Sequence, residues 1–113
     1  MIIILEKGNI LSKPDFEKAK EDYHTYIKIT IDIENETIAL GGEYHADAER
    51  LLLDTGSKQE NIWGGGFDVK SKKISVNAMI NLRPKTNYST DILDAKVRSR
   101  FLLAANKIFR KYV

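Results

Sequence analysis

The sequence predicts an α+β fold: a mostly antiparallel sheet of four or five strands with three helices, in the order β-α-ββ-α-ββ-α. Three observations carry this. From Tyr26 to Glu34 the chain alternates strictly, with Ile27, Ile29, Ile31 and Ile33 on one side and Tyr26, Lys28, Thr30 and Asp32 on the other. That is the period of a half-buried strand. Ile74, Val76, Ala78, Ile80 and Leu82 alternate in the same way against Ser75, Asn77, Met79, Asn81 and Arg83, predicting a strand that ends at Pro84. Three other stretches place their apolar residues at helical spacing.

In chain order, Ile2 to Leu5 reads as a buried strand, closed by a Gly8-Asn9 turn. Ser12-Lys13-Pro14-Asp15 opens a helix with a cap candidate and an early proline, and Phe16, Ala19 and Tyr23 fall on its inner face. The strand from Tyr26 turns at Glu34-Asn35-Glu36 into a second, Thr37 to Leu40, which ends at Gly41-Gly42. A helix follows, with Ala48, Leu51 and Leu52 on one stripe and Gly56 as its stop. Glu60 to Val69 returns to strand, and Gly64-Gly65-Gly66 within it signals a bulge or a close backbone approach. Ser71-Lys72-Lys73 turns into the strand from Ile74. A last helix from about Asp91 buries Leu93, Val97, Phe101, Ala104, Ala105, Ile108 and Tyr112, with Lys107, Arg110 and Lys111 suiting its C-terminal dipole. Helices on one side of the sheet would leave the other face free, carrying Lys28, Thr30, Asp32, Asn77, Asn81 and Arg83.

The chain of 113 residues, 42% hydrophobic, is expected to form one domain over 1–113. Eighteen Lys+Arg against sixteen Asp+Glu give a formal charge of +2, which permits a nucleic-acid partner without arguing for one. The absence of cysteine excludes disulfides, thiolate metal sites and a cysteine nucleophile, and fits a reducing, cytoplasmic setting. The apolar run at the start stops at Glu6-Lys7, so it reads as neither a signal peptide nor a membrane span, and no membrane partner is expected.

Three segments carry candidate chemistry. In Gly41-Gly42-Glu43-Tyr44-His45-Ala46-Asp47-Ala48-Glu49, helical geometry would stack Glu43 on Asp47 and His45 on Glu49. Glu43 and His45 could serve as base and acid, or the four side chains could ligate a divalent cation. The structural alternative, which short motifs of this kind favour, is that the acids complement a helix dipole and His45 is a cap or surface residue. Gly41-Gly42 could cradle a phosphate or simply turn the chain. In the second segment Gln59 and Asn61 flank Trp63, offering donors, acceptors and a stacking face, unless Trp63 is core. In the third, Arg83 can grip a carboxylate or phosphate beside Asn81, or tie the hairpin to the helix through Glu43 or Asp47, and Arg98 could join either arrangement.

The chain resembles a family of small prokaryotic proteins known only as a domain of unknown function. The resemblance rests on Gly41-Gly42-Glu43-x-His45-Ala46-Asp47-x-Glu49, on Gly56-Ser57-x-Gln59-Glu60-x-x-Trp63-Gly64, and on Ile80-Asn81-x-Arg83-Pro84 followed by Asn87, Ser89, Ile92, Asp94 and Arg98. It runs from about Tyr26 to Arg98 and implies no activity, but it implies that the three polar segments form one pattern. The Gly64-Gly65-Gly66 run and the longer basic tail after Arg98 depart from the family.

Two functions are compatible with these residues. One is a small-ligand or phosphate-binding domain, in its catalytic form a hydrolase of a phosphate or phosphodiester with His45, Glu43 and Arg83 as the catalytic set and Gln59, Asn61, Trp63, Asn81, Asn87 and Arg98 as ligand contacts. The other is a non-catalytic protein-interaction or homo-oligomerising module, with the N-terminal strand and the basic final helix as contact surfaces.

Overall fold

A computed structural model describes residues 1–113 throughout. Its strands are β1 (Ile2–Leu5), β2 (Tyr26–Asp32), β3 (Thr37–Gly41), β4 (Ile62–Asp68) and β5 (Lys73–Ser75). Its helices are α1 (Lys13–Ala19), α2 (His45–Asp54) and α3 (Ala95–Phe109), with single 3₁₀ turns at Gln59–Asn61, Met79–Asn81 and Arg110–Tyr112. The strands form one antiparallel sheet in the order β1-β3-β2-β4-β5. The fold is thus α+β with five strands and three helices, as the sequence predicts.

The apolar side of β2 faces the main core. Ile27, Ile29 and Ile31 pack with Ile38, Leu40, Trp63 and Phe67, and Phe16, Ala19, Phe101, Ala104, Ala105 and Phe109 cover them from α1 and α3. Phe67 stacks on Phe109 at 4.3 Å and Phe16 on Tyr112 at 4.1 Å. Ser12 caps α1 by accepting the Asp15 N–H. No helix is long and apolar enough to cross a membrane.

Helices lie on both faces of the sheet, which corrects the one-sided arrangement expected from the polar alternation. Ala39, Ala48, Leu52 and Ile62 make a second cluster in which α2 packs on the opposite face, with Ile2 and Ile80 at its margins. Thr30 and Asp32 are therefore buried. Asp32 accepts the Glu34 and Asn35 N–H groups, the Asn35 amide and the Ser57 hydroxyl. Burial pushes its carboxyl up, but the Ser57 and Asn35 bonds outweigh this and hold it below the usual carboxylate range. Alternation reports which side chains are polar, and a hydrogen-bonded interior accepts the same pattern as a wet surface.

Three boundaries also differ. β5 stops at Ser75 instead of running to Leu82, because Val76 turns into the main core and Ile80 into the second cluster, so the chain crosses the sheet edge between them. α3 begins at Ala95, where Asp94 accepts the Lys96 and Val97 N–H groups, and so Leu93 stays 45% exposed outside it. α1 ends at Ala19, leaving Tyr23 beyond the helix, and Leu51 of α2 is exposed rather than in the stripe. The β2–β4 register runs unbroken from Tyr26↔Asp68 to Asp32↔Ile62, so the three glycines mark close approach and no bulge. A methyl on Gly65 would lie 2.2 Å from the Ser75 carbonyl oxygen and 2.8 Å from Phe101.

Candidate functional site

Where β5 ends, the backbone of β4 needs another partner, since buried N–H and C=O groups must be paired. The Asn81 side chain supplies it. Its Oδ1 accepts the Gly64 N–H at 2.8 Å and its Nδ2 donates to the Gly64 carbonyl at 3.0 Å, so one amide pairs as a strand residue would. The same Nδ2 lies 3.2 Å from the Val76 carbonyl and 2.9 Å from that of Thr90. Asn87 repeats the device inside the following loop: its Nδ2 reaches the Asn81, Ser89 and Asp91 carbonyls, and its Oδ1 accepts the Leu93 N–H. Both asparagines are buried.

Arg83 joins this loop to the start of β4. Its guanidinium carbon lies 3.7 Å from the centre of the Trp63 ring, a cation–π contact. It donates to the Glu60 carbonyl at 3.0 Å and to the Ile62 carbonyl. A guanidinium carries five N–H groups, so with the Nε–H buried two on its terminal nitrogens stay free for other acceptors. Burial lowers its pKa, with the nearby Glu49 carboxylate opposing. The Arg83 Nε and the Trp63 indole N–H are buried and have no acceptor within the protein. Arg98 pairs with Asp91, fixing the loop to α3.

A surface cavity of about 320 Å³ opens in this loop, lined by Leu82, Arg83, Pro84, Lys85, Asn87 and Tyr88. Two of these are cations, none is acidic, and Tyr88 stands 87% exposed at the rim. The Asn87 N–H donates to the Arg83 carbonyl at 3.1 Å and closes the turn, with Lys85 at φ 70° between them. The cavity therefore has a hydrogen-bonded floor and an exposed rim of Lys85 and Tyr88.

His45 begins α2 and points at β4. Its Nε2 is 2.7 Å from the Gly65 carbonyl oxygen and so carries the proton, which leaves Nδ1 with a free lone pair. Burial lowers its pKa, the Gly65 carbonyl opposing and Lys28 adding to the fall, so the ring is neutral at neutral pH. His45 contacts Gly65 whereas Arg83 contacts Ile62, about 10 Å apart along the strand. Glu43 lies before α2 rather than on it, so the Glu43–Asp47 stacking expected from helical spacing does not form. It is exposed, and its carbonyl accepts the Tyr23 hydroxyl at 3.1 Å. Gly42 gives its N–H to Asp22 at 3.0 Å, so the glycine pair faces a carboxylate. No three His, Asp or Glu side chains are placed to hold a metal ion.

The structure thus brings Trp63, Asn81, Arg83, Asn87 and Arg98 into one network with Asn61 and Gln59 at its margin, and places His45 and Glu43 outside it. Lys85 and Tyr88, passed over as site residues in the sequence, line the cavity; the turn signal at Pro84-Lys85-Thr86 is what could have pointed to them. A second acid-free cavity, about 270 Å³, lies at the end of α3 against Gly8–Leu11 and carries Lys107, Arg110 and Lys111.

A family model described as "Protein of unknown function (DUF5674)" matches residues 3–108. No curated protein and no solved structure matches the chain.

Proposed function

The chain belongs to the DUF5674 family, whose description assigns no activity, and we propose that it binds a phosphate-bearing ligand with a flat ring, of the nucleotide class, in the 82–88 cavity. The observation that carries this reading is the lining itself. Arg83 and Lys85 supply positive charge with no carboxylate in the wall, and Tyr88 offers an exposed ring for stacking. The free N–H groups of Arg83 suit phosphate oxygens, and the Asn81 and Asn87 bonds hold the floor in place before a ligand arrives, which lowers the entropy lost on binding. The reading assigns binding and no chemical step. His45, neutral with a bare Nδ1, lies about 10 Å along β4 and takes no part in it.

Titration of ¹⁵N-labelled protein with ADP tests this. Shifts should concentrate at Arg83 to Tyr88, and Tyr88→Ala and Lys85→Glu should each weaken binding by about tenfold. Lys107→Glu, in the other basic cavity, should leave the affinity unchanged. Shifts confined to Lys107, Arg110 and Lys111, or none at all, would refute the proposal.

A further inference from the structure

Two cavities meet along the last turns of α3. One, about 270 Å³, lies between residues 8–11 and the side chains of Lys107, Ile108, Arg110 and Lys111. The other, about 30 Å³, continues it past Ile108 to Ala104 and Ile38, and the two share Gly8, Asn9, Lys107 and Ile108. Together they make one groove, wide at the Lys111 end and narrowing to room for little more than a water-sized group. Its loop wall is held in place. The Tyr112 hydroxyl donates to the Leu11 carbonyl at 2.8 Å, and Asn9 closes the preceding turn by accepting the Glu6 N–H and donating to the Glu6 carbonyl.

The wide end is basic, and its charges are not spent within the protein. Lys7, Lys13, Lys20, Arg98 and Arg100 each pair with a carboxylate, whereas the Lys107, Arg110 and Lys111 side chains form neither an ion pair nor a hydrogen bond. Cations at a helix C-terminus complement its dipole, but three of them outweigh a negative end of about half a charge. Leu11 is 1% exposed and its N–H has no acceptor in the protein, so the wall also holds an unanswered buried donor. The apolar side chains are Ile10, which stands 71% exposed, and Ile108, with Ile38 and Ala104 at the narrow end. No aromatic ring lines either cavity, so a base finds nothing to stack on.

We infer that this groove binds an amphiphilic anion of the fatty-acid class, an alkyl chain with a carboxylate head. The head meets Arg110 and Lys111 at the wide end, and the chain runs over Ile108 toward Ala104, about 9 Å along the helix. Charge opposes the reverse direction. Glu6 and Glu36 line the narrow end, and Lys7 there is already paired with Glu36 at 3.3 Å. The groove shares no residue with the 82–88 cavity, so the inference goes beyond the nucleotide reading and does not depend on it.

Titration of ¹⁵N-labelled protein with octanoate tests it. Saturable shifts should appear at residues 8–11 and 104–111. Butyrate, with the same head and a shorter chain, should bind at least about tenfold more weakly, because each buried methylene adds to the transfer free energy. Octan-1-ol, with the chain and no charge, should also lose about tenfold. Arg110→Glu, Lys111→Glu and Ile10→Asp should each weaken octanoate by about tenfold, and all three positions are exposed, so the fold tolerates the changes. Lys96→Glu, at the other end of α3, should leave the affinity unchanged. Shifts that do not saturate, butyrate or octan-1-ol binding as tightly as octanoate, an affinity indifferent to Arg110→Glu and Lys111→Glu, or binding to phosphatidylglycerol vesicles without binding of octanoate would overturn the inference.

Discussion

Replacing Asn81 by alanine removes the amide that pairs with Gly64 and leaves both its N–H and its C=O in the interior without a partner. Each unpaired buried group costs about 1–3 kcal/mol, so the two together cost about 2–6 kcal/mol. The Val76 and Thr90 carbonyls also lose a donor, but a water entering the space can serve them. A domain of ordinary stability holds about 5–15 kcal/mol, so the variant should be marginal. Urea denaturation gives the number, and amide exchange at Gly64 locates it. Asn81→Asp is the sharper companion. It keeps an acceptor for the Gly64 N–H but turns an oxygen toward three carbonyls, so its folded pKa should rise above the unfolded value of about 3.9. The bond its protonated form makes is present below that value and lost as pH rises through the folded pKa, so acidification should narrow the gap to wild type. An alanine cost below about 1 kcal/mol, the size of an ordinary surface substitution, would refute the view that Asn81 replaces a strand.

Other outcomes follow from the same packing. Gly65→Ala forces a methyl against the Ser75 carbonyl and Phe101 and should destabilise by about 1–3 kcal/mol in urea unfolding. His45 has a folded pKa depressed below its unfolded value of about 6.5, so its contribution is present above that pH and lost as pH falls through the folded value. His45→Gln should flatten the stability profile in that window, and ¹⁵N spectra of the wild type should show the Nε2–H tautomer; an unchanged profile would contradict the burial of the His45 ring. Asp32 also has a depressed pKa, so its contribution is present above about 3.9 and lost as pH falls further. Asp32→Ala leaves four donors unanswered and should lower the urea midpoint at neutral pH far more than at pH 2.

The β2–β3 hairpin was legible because Ile27, Ile29 and Ile31 alternate without interruption up to a polar turn, a local signal that needs no tertiary context. The placement of α2 was not, because Thr30 and Asp32 read as solvent-facing until α2 packs on that face and Ser57, from beyond its end, reaches Asp32. The supposed strand from Ile74 to Leu82 fails for a related reason. Asn81 pairs with β4 through its side chain, and nothing in the period of the sequence distinguishes a residue that pairs by its backbone from one that pairs by its amide. Asp91 and Asp94 are both competent helix caps in the sequence; in the fold Asp94 takes the Lys96 and Val97 N–H groups while Asp91 pairs with Arg98. That Trp63 belongs with Asn81, Arg83 and Asn87 was readable only as the common pattern the family resemblance implies, and which of their donors face the protein and which face outward is a property of the folded loop.

The most direct measurement is the position of a bound nucleotide relative to the loop. Intermolecular NOEs between the base protons of ADP and the Tyr88 ring, together with phosphate-dependent shifts of the Arg83 Nε–H, are the expected result. NOEs from the base to residues at the end of α3, with the Arg83 signal unmoved, would contradict the assignment of the ligand to the 82–88 cavity.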